Sequence, residues 1–201
     1  MNQIATNNPQ APWGLDTERV WSTELAYEHL KAIGQVDTKR TAERRLNDLQ
    51  LFPPELSEQL LLDELGRAPN QPVLVWCLDQ ARKQRHRVLF AQLKPLPNGK
   101  PCLHANDARG SRFWIPLRKD NEQHCQQALE QLQQHINKPL VIFPHEALLA
   151  HLRHMPAKEH IQIPFHAYLP ILPDTLRAPD ANNKISRAVS PHLKQLEAES
   201  I

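Results

Sequence analysis

Glycine is scarce in this 201-residue chain, with five residues, at positions 14, 34, 66, 99 and 110. Loops that cradle a nucleotide's phosphates need glycine where the backbone must approach the ligand closely. Neither GxxxxGK[ST] nor GxGxxG can be assembled from those positions. A nucleotide-driven motor and a dinucleotide-dependent dehydrogenase are therefore not expected. Long apolar runs are missing too, so no membrane-spanning helix is expected. The opening MNQIATNNPQAPWG has no basic stretch followed by an apolar one, and no secretory signal is expected. Three cysteines, Cys77, Cys102 and Cys125, are odd in number and widely spaced. They fit reduced thiols in a cytoplasmic protein better than a disulfide framework.

Catalytic signatures are equally sparse. The six serines include no GxSxG elbow, and HExxH and CxxC are both absent. Among eleven histidines, His145, His151, His154 and His160 fall within sixteen residues. Cys102 with His104, and His124 with Cys125, make two looser pairs. These pairs could meet only by accident of the fold, so no zinc site is expected from them. The expectation is a binding protein with no catalytic set, no metal site and no obligatory cofactor.

Proline, by contrast, is abundant at 18 residues and marks many sharp element boundaries. Residues 1–12 read as a flexible arm, and the chain loses periodicity again in a tail over 177–201. Between them, helices are predicted over 16–33, 38–51 and 54–65. Asp37 or Thr38 caps the second, and Pro53-Pro54 opens the third, whose Leu56, Leu60, Leu61 and Leu65 form a stripe ending at Gly66. The continuous apolar run PVLVWCLD (72–79) predicts a buried strand. Over 87–96 the pattern alternates, with Val88 and Phe90 on one face and Leu89, Ala91 and Leu93 on the other. Asn98-Gly99 accepts positive φ and predicts a turn into strands at 101–105 and 112–117. Asp120, with Gln123 in capping-box position, predicts a helix to Ile136 bearing the stripe Cys125, Ala128, Leu129, Leu132. A strand at 140–143, a helix at 144–154 and a strand at 160–165 follow. Helices over 13–70, then a mostly antiparallel sheet with inserted helices over 71–176, define an α+β class.

Charge carries the one local signal. The formal net charge is +2, yet residues 1–81 balance to −5, residues 82–119 to +9 and residues 120–201 to −2. Clustered Lys and Arg favour phosphate, because each neutralised phosphate releases condensed counterions. The candidate nucleic-acid-binding residues are Arg82, Lys83, Arg85, Arg87, Lys94, Lys100, Arg109, Arg112, Trp114, Arg118 and Lys119. Phe90, Phe113 and Trp114 interleave with them as stacking platforms for bases would. The same surface could meet an acidic protein partner, which makes the alternative an adaptor or assembly subunit, with homo-oligomerisation a further reading. KRTAERRLNDL (39–49) could serve as the reading helix of a helix-turn-helix, offering Lys39, Arg40, Glu43 and Arg44.

A second alternative rests on Asp79 at the end of one predicted strand and Gln92-Leu93-Lys94 on the next. This spacing resembles the D…(E/Q)xK arrangement of the PD-(D/E)xK nuclease superfamily over about thirty residues. The resemblance implies a metal-dependent nuclease in which Asp79, with Glu64 from the preceding helix, holds Mg²⁺ and Lys94 positions the nucleophile.

Overall fold

The meander predicted over 87–117 forms the middle of the sheet. A computed structural model describes residues 14–169; the predicted arm at 1–12 and tail at 177–201 lie outside the described residues. In chain order the elements are β1 (Trp21–Ser22), α1 (Thr23–Ala32), α2 (Lys39–Asp48), α3 (Gln71–Lys83), β2 (Arg87–Leu93), β3 (Cys102–Asn106) and β4 (Arg112–Pro116). After these come α4 (Glu122–Ile136), β5 (Leu140–Pro144), α5 (Ala147–Leu152), β6 (Ile161–Gln162) and a 3-10 turn at Phe165–Tyr168. The strands form one mixed sheet in the order β1-β4-β3-β2-β5-β6. Pairs β1–β4, β3–β4 and β2–β3 are antiparallel, whereas β2–β5 and β5–β6 are parallel. The class is α+β, as the sequence predicts.

Helices cover both faces of the sheet. Leu89 and Ala91 of β2 join Leu103, Ala105, Ile115 and Ile142 beneath Cys125, Ala128, Leu129 and Leu132 of α4. On the opposite face Phe90, Val141 and Phe143 lie under Leu74, Cys77, Leu78 and Ala81 of α3. Next to them, Cys102 and Trp114 lie under α1 and α2. The alternation along β2 thus separates two cores, because successive strand side chains point to opposite faces.

Two predicted elements are corrected. Residues 72–79 are not a strand but the body of α3, capped by the Asn70 side chain, which accepts from the Val73 amide. Leu74, Cys77, Leu78 and Ala81 recur at helical spacing. The run looks continuous because Val75 and Trp76, 60% and 57% exposed, fill the outer face. Residues 54–65 do not form a helix. Their backbone groups are claimed by sheet side chains instead: Asn106 accepts from the Leu56 amide and donates to the Leu56 carbonyl. The Gln92 amide donates to the Pro54 carbonyl, and His145 Nδ1 accepts from the Leu62 amide. With these groups bonded to side chains of β2, β3 and the β5–α5 turn, the segment is held out of the i→i−4 ladder.

Smaller shifts have local causes. Trp21 and Ser22 pair with β4 before α1 begins, and Ser22 caps the helix by accepting from the Leu25 amide. Asn121, rather than Asp120, caps α4. The strand predicted at 160–165 ends at Gln162, and the chain turns into a 3-10 helix after Pro164.

Candidate functional site

The end of the sheet where α3 runs into β2 gathers four cations of the basic segment, Arg82, Arg85, Arg87 and Arg109. At its C-terminus α3 closes with the amide of His86 donating to the Ala81 carbonyl, and that of Arg85 to the Arg82 carbonyl. This paired arrangement puts Arg85 in the left-handed region at φ 58. Across from it the β3–β4 turn is rigid. Asp107 Oδ1 accepts from the amides of Arg109 and Ser111, and Gly110 supplies φ 83. Together these segments wall a cleft of about 590 Å³ whose lining includes Arg82, Arg85, His86, Arg87, Arg109 and Lys138.

The electrostatics of the cleft are lopsided. Five cationic side chains face two carboxylates, Glu58 and Asp107. Asp107 is already satisfied: Arg87 Nη2 lies 2.6 Å from its Oδ2 and also donates to Ser111 Oγ at 2.8 Å. Burial alone would raise the Asp107 pKa, but the amides of Ser111 and Arg109 and the Arg87 guanidinium outweigh it and hold the carboxyl below its usual range. Arg82, Arg85, Arg109 and Lys138 are exposed and have no side-chain partner among the described residues. The ring Nδ1 of His86 is buried and also lacks a partner among the described residues.

The other predicted cations do not join this group. Lys94 lies 3.7 Å from Glu146, while Lys100 and Arg118 share Glu18 at 4.0 and 2.8 Å. These three flank the far ends of β2, β3 and β4. Strands of five to seven residues, at about 3.3 Å each, put roughly 16–23 Å between the two ends. Lys83 pairs with Asp79 at 2.7 Å and Arg112 with Glu55 at 2.6 Å. Lys119 is exposed in the turn before α4. The +9 segment is thus divided into free cations at the cleft and a set paired with the chain's own carboxylates, with Lys119 exposed apart from both.

Trp114 is a correction. It is fully buried, with Trp21 stacked on it and Phe52 at its edge, so it offers no surface to a base. Phe90 and Phe113 are also buried. No stacking platform comes from these three aromatics, and contact at the cleft would fall on charge alone.

The residues resembling a nuclease set are held apart. Asp79 lies on α3, not at a strand end, with its carboxylate on Lys83. Glu64 binds the Arg153 guanidinium at 2.7 and 2.8 Å, and Gln92 is buried against Pro54. Lys94 instead faces His145 and Glu146 at the strand-to-helix turn before α5, where Glu146 takes φ 49. On the predicted reading helix, Lys39, Arg40, Glu43 and Arg44 are exposed, with Lys39 3.8 Å from Glu24.

Lys138 was not among the sequence candidates. Its signal is the parallel register, which sets Arg87 beside Leu140. Arg85 and Lys138 each lie two residues before their strand, and both line the cleft. Only knowledge that β5 pairs with β2 could bring it in. Compared with known proteins, the chain matches no family model, no curated protein and no solved structure.

Proposed function

We propose that this chain is a nucleic-acid-binding accessory or regulatory protein that holds a phosphate backbone in the cleft beside α3 and β2. The observation that carries this reading is four exposed cations, Arg82, Arg85, Arg109 and Lys138, around one cleft, unpaired among the described residues. An ion-paired arginine must give up its carboxylate before it can take a phosphate, whereas these four need not. Arg guanidinium groups bind phosphate oxygens in a two-pronged geometry that lysine alone does not offer. With Phe90, Phe113 and Trp114 buried, binding rests on phosphates and carries little sequence information. It favours a duplex over a single strand, since stacking supplies much of single-strand affinity.

The test is fluorescence anisotropy of the full chain with a labelled duplex at low salt. Replacing Arg82, Arg85 and Arg109 with Ala weakens binding by more than about tenfold. Replacing Lys94, Lys100 and Arg118 with Ala leaves it nearly unchanged. A parent protein that does not bind, or equal losses in the two triple variants, overturns the reading.

One observation favours a second reading, an adaptor that meets another protein. Val75, Trp76 and Leu169 are 60%, 57% and 57% exposed, and Trp76 meets His166 edge-on at 6.1 Å. Large apolar side chains grouped on one surface are characteristic of protein contacts. That reading places the partner on the outer face of α3 and leaves duplex binding absent.

A further inference from the structure

On the face of the sheet covered by α4 and α5, three ligating side chains converge from separate segments. Asp120 precedes α4, Cys125 lies in its first turn, and His151 comes from the last turn of α5. One ligand atom from each lies within 4.8 Å of the other two. We propose that Asp120, Cys125 and His151 form a binding site for a single thiophilic divalent ion, Zn²⁺ being the best match.

The chemistry of the three donors selects the ion. A thiolate, an imidazole and a carboxylate are the donor types that zinc takes, at about 2.0–2.3 Å. Hard cations such as Mg²⁺ and Ca²⁺ take oxygen ligands and avoid sulfur. Tetrahedral coordination at those bond lengths sets ligand atoms about 3.3–3.6 Å apart. His151 Nε2 and Asp120 Oδ1, now at 2.9 Å, need to open slightly, and the sulfur closes toward them. Side-chain rotation suffices for shifts of this size.

The surroundings also suit an ion. Cys125 is fully buried and free, among the apolar side chains of the α4 core. Asp120 and His151 are 53% and 28% exposed, so an ion can reach two of the three ligands from solvent. On binding, the thiol proton leaves to solvent and a metal–sulfur bond replaces the S–H bond. Three protein ligands leave a fourth position for water. The ion would tie α4 to α5, so binding it stabilises the fold. This site is separate from the basic cleft and does not depend on its reading.

The test uses the full chain, stripped with chelator and titrated with Co²⁺ and then Zn²⁺. Expected is one equivalent of Co²⁺, with a thiolate-to-metal charge-transfer band in the near ultraviolet that Zn²⁺ abolishes by displacement. Cys125→Ser removes the band. Should the buried serine unfold the chain, His151→Gln and Asp120→Asn serve instead, since both side chains are partly exposed. Each weakens Zn²⁺ binding by more than the roughly 10- to 100-fold of a second-shell change. Zn²⁺ raises the melting temperature of the parent and not of His151→Gln, and Mg²⁺ raises neither. A missing charge-transfer band, a band that persists in Cys125→Ser, or unchanged Zn²⁺ affinity in both His151→Gln and Asp120→Asn would overturn the assignment.

Discussion

Arg85 occupies a position where glycine is the usual residue. The corresponding position after α1 is Gly34, at φ 71, while Arg85 holds φ 58 with a full side chain. A left-handed conformation costs an ordinary residue about 1 kcal/mol or more. Gln50 holds the same conformation after α2, at φ 54, so such a turn carries a full side chain at this cost, and at position 85 that side chain lines the cleft. Arg85→Gly is expected to raise stability by roughly 0.5–1 kcal/mol in urea unfolding while weakening duplex binding. Loss of stability together with unchanged binding would show that the side chain serves the fold instead. His104 makes a different prediction. Burial pushes its pKa from 6.5 down to about 4, against a weaker opposing bond to the Lys94 backbone. The folded chain therefore keeps the ring neutral where the unfolded chain binds a proton. Stability falls as pH drops from 6.5 to about 4, with roughly 3 kcal/mol lost across that window. His104→Gln removes this step, so urea midpoints at pH 7 and pH 4.5 should differ less in the variant than in the parent. Equal differences would mean that other groups carry the pH dependence.

At the scale of elements, the sequence makes β2 to β5 and α4 legible and misreads 54–83. Strand alternation from Val88 to Leu93 and the Asn98-Gly99 turn are local signals, and they specify local structure. The 54–65 segment has a leucine stripe of helical period, but Leu60 and Leu65 are 54% and 70% exposed and only Leu56 and Leu61 are buried. What decides its conformation is Asn106, fifty residues away, which bonds both backbone groups of Leu56. A pattern within one segment cannot register a partner on a distant strand. Asn106→Ala leaves a buried amide and a buried carbonyl unpaired and should cost about 3 kcal/mol in denaturant unfolding. A cost below about 0.5 kcal/mol would mean that the 54–65 segment is held by its leucines alone. In α3 the error has another source. Val75 and Trp76 on the outer face erase the period that Leu74, Cys77, Leu78 and Ala81 carry on the inner one.

Across the whole molecule, the charge asymmetry is legible in the sequence and its distribution is not. Counting finds the +9 segment, but only the fold separates Arg82, Arg85 and Arg109 from Lys94, Lys100 and Arg118 at the other end of the strands. Pairing partners such as Glu18 and Glu55 come from the acidic N-terminal third, so part of the segment's charge is answered within the chain. The sequence also lacks any cue for Lys138, or for Cys125 meeting His151, because both depend on how α4 and β5 return to the sheet. The central claim is that the free cations at the cleft, and not the basic segment as a whole, bind phosphate. Its most direct test is the salt dependence of duplex binding. With the four free cleft cations engaged, log K should fall against log salt with a slope of about −3.6. In the Arg82→Ala, Arg85→Ala, Arg109→Ala variant the slope should become shallower by about 2 to 3, while the Lys94→Ala, Lys100→Ala, Arg118→Ala variant keeps the parent's slope. A slope that is the same in all three proteins, or one that changes equally in both variants, would contradict the account.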